Sequence, residues 1–357
     1  MSTPKSVSSN GSRAQVMRWV RWLAPLVLLA LLVAAFWEEL DFLADSWRAL
    51  RRAVAHAPGP IAGAVVAAFG AIVAMAAVMK ILLNVDAKRT DMARTTALTL
   101  GSNAWSTTLP GGPALSAWLT YRVQRSWGAS PGLCGWFFVI SGALSTVWMA
   151  LIGLAAVLFL GADLSAATLC TSIVLTVLVI VAMFWATRHP ALLTRWTRFL
   201  PGSVRGKVAD VITQVSQIRM TAGQFFSSAF CSLCNRLLDV VVFYFCVWSV
   251  VGDAPGLHAE LNRASLMGVT LAFIMTKLAG AAQVTPGGVG TVEAAAAASL
   301  VAAGMTLIDA TAATLIYRII SFVLITAIGW GVHIVCYAGR GYMLGAPSRP
   351  GSDSVEQ

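Results

Sequence analysis

Charge is scarce in this sequence. Only 11% of its 357 residues are Asp, Glu, Lys or Arg, against 58% hydrophobic, and mean hydropathy is +0.76. That composition excludes an ordinary soluble domain. Alternating strand-like runs are missing, so the backbone groups that lipid cannot hydrogen-bond must be satisfied within helices. Motifs that carry chemistry are missing too. No Gly-x-x-x-x-Gly-Lys loop is present, which argues against ATP-driven transport by this chain alone. There is no His-Glu-x-x-His, no serine-nucleophile elbow and no aspartate-rich metal motif, and the four histidines (His56, His189, His258, His333) are scattered. No metal, no cofactor and no enzymatic activity are therefore expected. The six cysteines all lie in apolar runs. Cys231-x-x-Cys234 has neither a second pair nor a neighbouring histidine, and reads as apolar helix filling.

What is present is long apolar runs. A helix needs about 20 such residues to cross roughly 30 Å of hydrocarbon. Full-length candidates fall at 19–36, 60–83, 133–160, 166–187, 223–251 and 310–338. Two further apolar regions, 95–124 and 264–304, are each interrupted near the middle by Pro-Gly-Gly, in "TTLPGGPALSAW" and "QVTPGGVGTVEA". The expected fold class is an all-α polytopic integral membrane protein with about six full spans and two broken helical regions. Residues 1–18 and 341–357 read as polar tails around one transmembrane domain, 19–340, with no soluble catalytic domain attached. The first apolar run lacks a small-residue cleavage site and reads as an uncleaved helix.

The formal net charge of +10 sits in loops at the membrane edge, where it orients spans; a nucleic-acid surface is not expected. Lys5, Arg13, Arg18 and Arg21 before or at the first run, and the basic linker 188–222, place both on the cytoplasmic side. Both termini are then cytoplasmic, in the inner membrane of a prokaryote. By the same count 95–124 enters and leaves on the cytoplasmic face, and 264–304 on the external face. The halves of 95–124 are short, which favours a re-entrant hairpin; those of 264–304 approach 20 residues and have length to span. The order span, broken region, span then occurs twice with opposite orientation, over about 60–160 and 223–338. This predicts an inverted repeat, a construction that many transporters use to build a midplane site. A second echo, "LTYR" ending at Arg122 and "LIYR" ending at Arg318, is weaker, because the arginines lie at unequal distances from the prolines.

Candidate site residues follow from the breaks. Pro110, Gly111, Gly112 and Pro286, Gly287, Gly288, Gly290 free backbone groups inside hydrocarbon, where irregular backbone survives only against protein or a wet cavity. The helix after each break presents N–H groups suited to an anion such as phosphate. Glu293, about two turns after Pro286, is a charge at membrane depth, by default paired or functional. Its candidate partners are Arg318 and Arg236. Arg236 and Asp239 are three apart and share a helix face. Lys277 precedes the second break closely enough to reach the same cavity, whereas Arg122 is placed to snorkel. Asn103, Thr107, Thr108, Gln283 and Thr285 stand just before the breaks and suit capping. The thirteen tryptophans fall near predicted span ends, as an interfacial belt requires. Residues 204–218 put valines on one helical face among basic residues, the pattern of an interfacial amphipathic helix.

The stretch "TPGGVGTVEAAAAASLVAAGMTLIDATAATLIYRIISFVLI" resembles the signature of the lysylphosphatidylglycerol synthase transmembrane-region family, a flippase-like superfamily. "NRLLDV" resembles the family's Glu-Arg-x-x-Asp helix, with Asn235 in place of the acid, and "LPGGPALSAWLTYR" resembles its first-half motif. The resemblance carries over Pro286, Gly287, Gly288, Gly290, Glu293, Arg318, Arg236 and Asp239. It implies a stand-alone membrane portion that moves a phosphate-bearing phospholipid or polyprenyl-linked headgroup. The alternative is a membrane enzyme, or a subunit partnering an envelope-synthesis enzyme, in lipid-linked or glycolipid synthesis.

Overall fold

The chain divides into two compact units, Met1–Arg51 and Arg52–Gln357. In this computed structural model the described residues are 57–160, 220–281 and 286–337, with Arg51 and Ala55 as isolated helical positions. Several expectations lie outside them: the spans 19–36 and 166–187, the tails 1–18 and 341–357, the linker up to residue 219 with its amphipathic stretch, and the capping roles of Gln283 and Thr285. Among the described residues every regular element is a helix apart from one isolated bridge, Glu260 with Arg263.

Among the described residues four helices are long and apolar enough to cross a membrane. They are α1 (Pro58–Leu83), α4 (Pro131–Leu160), α5 (Ala222–Val251), and a continuous rod made of α8 (Leu307–Arg318), a π-helical segment (Ile319–Leu324) and α9 (Ile325–Cys336). Their starts are encoded locally. Prolines open α1, whose first N–H groups have no intrahelical acceptor. Thr221 and Gln224 form a reciprocal capping box on α5, and Thr306 caps α8 by accepting from Asp309 N.

Between these rods lie the broken regions. The first is α2 (Met92–Thr108) and α3 (Gly112–Ser126), joined through Leu109, Pro110 and a left-handed Gly111. The second is α6 (Leu266–Ala281), a 3-10 turn (Pro286–Gly288) and α7 (Thr291–Ala302). Their lengths of 17, 15, 16 and 12 residues correspond to about 18–26 Å of helix, less than the roughly 30 Å hydrocarbon core. Among the described residues the two arms of 264–304 are 16 and 12 residues long.

Packing follows a reciprocal plan. Helices α1 and α5 lie antiparallel in extensive contact. Gly63 faces Phe245, Gly70 faces Leu238, and Gln224 Nε2 reaches Val85 O at 3.2 Å. Helix α2 packs on α9, and α6 packs on α4. A Cβ on Gly329 would stand 2.4 Å from Leu100 O, and one on Gly153 would stand 2.9 Å from Ile274, so both helix pairs close on a glycine. The positions recur in register: Pro110 and Pro286, the left-handed Gly128 and Gly304, the capping Ser130 and Thr306, and Gly153 and Gly329 each lie 176 residues apart. The echo of Arg122 and Arg318 falls outside this register, because Arg122 belongs to α3 and Arg318 to α8.

An apolar core joins α1, α2, α3 and α4 around Leu82, Leu98, Leu119 and Phe137. Trp105 is 2% exposed and stacks on Trp118 at 6.2 Å and on Trp330 at 6.5 Å, with the His333 ring edge-on at 5.2 Å. These rings fasten α2, α3 and α9 together, and Trp105 serves as core and not as an interfacial ring. At one end, Asn84 organises the loop into α2, accepting from Arg89 N and Thr90 N and donating to Thr90 O. In that loop Arg89 chelates Asp86, and this bond holds the Asp86 carboxyl below the usual carboxylate range. At the other end Asn262 joins Thr306 N and Asp309.

Candidate functional site

The helices around the two breaks bring polar groups to one place. A cavity of about 690 Å³ is lined by residues of α1, α2, α3, α4, α5, α6, the Pro286–Gly288 turn, α7 and the α8–α9 rod. Its α2 wall is hydroxylic: Thr99, Ser102, Asn103, Ser106 and Thr107 recur at helical spacing and all face it, with Ser116 and Thr120 of α3 and Ser141 of α4 beyond. Met75, Phe137, Phe138 and Phe322 supply apolar surface. A cavity that is apolar on one side and hydroxylic on another suits an amphiphile.

Arg318 is the most constrained charge in it. Its side chain is 8% exposed, and its Nε donates to Glu293 Oε1. Nη2 donates to Gly287 O at 3.0 Å, and the guanidinium lies 4.4 Å from the Phe322 ring centroid. One side chain thus ties α8 to α7 and to the turn between α6 and α7. Glu293 sits in the first turn of α7, which revises the expectation that it stands two turns in. The helix begins only at Thr291, because Gly287, Gly288 and Gly290 all adopt positive φ. The carboxylate therefore already occupies the helix start where an anion was expected. Its Oε2 is buried with no hydrogen-bond partner.

A second cluster faces the first across the cavity lining. Asp239 Oδ2 lies 3.3 Å from both Arg236 Nη1 and Lys277 Nζ, joining α5 to α6. Arg236 Nη2 also donates to Ser145 of α4, and Asn235 Nδ2 donates to Ala71 O of α1 at 2.8 Å. Lys277 lies 5.2 Å above the Phe273 ring. Together the two clusters hold three cations and two carboxylates, a surplus of one positive charge. Such a surplus among partly buried charges favours an anion.

The expected site residues separate accordingly. Arg236, Asp239, Lys277, Gly287 and Arg318 line the cavity, and Glu293 stands directly behind Arg318. Arg236 pairs with Asp239 and not with Glu293. Gly288 is buried under Val292, Gly290 is the exposed residue before α7, and Pro286 opens the turn. Pro110 and Gly111 are exposed at the first break, Gly112 is buried against Ser106 O, and none of the three lines the cavity. Arg122 stacks on Trp118 at 4.9 Å, outside the lining. Thr107 and Thr108 do not cap the next helix. Their hydroxyls bond back to carbonyls of α2, and they reach across to Thr326 at 2.9 Å and Trp330 Nε1 at 3.1 Å. Sequence reasoning missed Asn235, Ser145, Tyr317 and most of the α2 hydroxyl face. The spacing of Thr99, Ser102 and Ser106 is the signal that would have found that face.

The stretch Gly128-Ala129-Ser130-Pro131-Gly132 does have Gly-x-Ser-x-Gly spacing, but no strand precedes it and Ser130 Oγ accepts from Leu133 N at 3.1 Å as a helix cap. Among the described residues no group of three potential metal ligands converges.

Fold and cavity together define an integral membrane protein whose broken helices line an amphipathic, cation-bearing cavity. Comparison with known proteins supplies the family. The model of the lysylphosphatidylglycerol synthase TM region matches residues 21–329. The chain belongs to that family, a membrane domain associated with lipid. Neither a curated protein nor a solved structure matches it.

Proposed function

We propose that this protein moves a phosphate-bearing lipid headgroup, on a phospholipid or a polyprenyl carrier, across the cytoplasmic membrane of a prokaryote. The observation that carries the reading is the charge surplus: Arg236, Lys277 and Arg318 against Asp239 and Glu293, gathered in one chamber between the helix breaks. Acyl or polyprenyl chains remain in lipid while the phosphate enters among the cations and the headgroup hydroxyls meet the α2 wall. The 176-residue register and the reciprocal packing of α2 on α9 and α6 on α4 support an inverted repeat, in which access alternates as one half rocks against the other. The six-span count and cytoplasmic termini complete this arrangement.

Reconstitution tests it. Proteoliposomes carrying a fluorescent phospholipid are expected to lose leaflet asymmetry faster than protein-free vesicles, and Arg318→Ala to reduce that rate at least tenfold. Unchanged movement in Arg318→Ala and Arg236→Ala overturns the site. Covalent alteration of the lipid by the purified chain favours the alternative, an enzyme or enzyme subunit of lipid-linked synthesis.

A further inference from the structure

A phosphate that comes to Arg318 from its Nε side meets Glu293 already there. Nε is committed to Glu293 Oε1 and Nη2 to Gly287 O, so the Nε side of the guanidinium, one of the two edges that can grip an oxyanion with parallel N–H bonds, is occupied. A phosphate that takes this edge must displace the carboxylate. Glu293 is then left with both oxygens unpartnered, because Oε2 is buried without a hydrogen bond even before displacement. An uncompensated buried carboxylate is strongly unfavourable, and its simplest relief is a proton.

No neighbouring group substitutes for that proton. Helix α7 packs on α6 and α8. From α6 the charged group is Lys277, which is held by Asp239. From α8 they are Arg318 itself, Tyr317, whose ring packs against Phe243, and Asp309, which is bound by Asn262 and Thr306 at the far end. The turn Pro286–Gly288 contributes only carbonyls and N–H groups.

We propose that Glu293 is a proton-binding site coupled to the anion. Each lipid phosphate that takes the Nε edge of Arg318 brings one proton onto Glu293, and the two are carried together. The charge of the cluster is then the same empty and loaded, since a phosphodiester replaces one carboxylate charge. Linkage makes the effect reciprocal: acid tightens anion binding, and the anion draws in a proton. This rests on the reading of the cavity as a lipid-phosphate site.

The test uses the full chain in nanodiscs and a short-chain phospholipid whose single phosphodiester does not titrate between about pH 5 and 8, so any pH dependence belongs to the protein. Wild-type affinity is expected to rise as pH falls, approaching tenfold per unit, with about one proton taken up per probe bound in weak buffer. Glu293→Gln, which mimics the protonated acid, is expected to bind at the wild type's acid-side affinity at every pH. Proton uptake by the wild type is read independently, so the outcome stands whether or not the variant folds. Binding without pH dependence or proton uptake overturns the coupling and leaves the lipid site intact. No binding at any pH overturns both. A deacylated glycerol phosphodiester run in parallel separates the two sources of the anion: equal affinity assigns the site to free phosphodiesters and overturns the lipid coupling.

Discussion

At the scale of single residues, the stability of the chamber is expected to depend on charge partners more than on any one contact. Removing Arg318 leaves Glu293 buried and unpaired, and removing Asp239 leaves Arg236 and Lys277 as unscreened neighbours. Arg318→Ala and Asp239→Asn are each expected to lose on the order of 3–5 kcal/mol, read as lowered thermal midpoints of the purified chain. Arg122→Ala, whose guanidinium stacks on half-exposed Trp118, is expected to lose only about 0.5–1 kcal/mol. Glu293, Arg318, Arg236 and Asp239 were legible as important, because a charge in an apolar run demands an explanation. Which pairs with which was not legible: helical spacing connects Arg236 to Asp239, but nothing local connects Glu293 to Arg318 across 25 residues.

At the scale of elements, glycines decide how closely the helices approach. Gly287 has φ +64, and a Cβ there would meet Phe322 and Thr107 O at 2.8 Å; Gly290 has φ +81 but open space around it. Gly287→Ala therefore combines a steric clash with left-handed strain, and is expected to lose more than Gly290→Ala by roughly 1–3 kcal/mol. In the rod, a Cβ on Gly329 would meet Leu100 O at 2.4 Å whereas one on Gly331 would meet nothing within 4 Å. Gly331→Ala is expected to stabilise the protein by up to about 1 kcal/mol through helix propensity, and Gly329→Ala to destabilise it by about 1–3 kcal/mol by parting α2 from α9. Paired thermal melts with opposite shifts check this. Long helices were readable within a few residues from apolar length alone. The start of α7 was not, because Gly287, Gly288 and Gly290 delay it to Thr291.

Across the whole molecule, the reciprocal packing predicts that the two breaks open to opposite faces. Single cysteines at Gly111 and Gly290, both exposed, in a chain freed of its native cysteines, are expected to react with impermeant maleimide from different sides of sealed vesicles. Labelling of both from the same side rules out the inverted arrangement. The sequence by itself determined that this is a helical membrane protein, that two Pro-Gly-Gly breaks interrupt it, and to which family it is similar, because hydropathy, proline and positive-φ glycine act locally. Only the tertiary structure decided that the two breaks are unequal. Gly287 joins the chamber while Pro110 and Gly111 stay outside it, Arg318 claims Glu293, and a hydroxyl face of α2 becomes a wall. These are contacts between segments far apart in the chain, fixed by which helices pack together, and no local pattern records them.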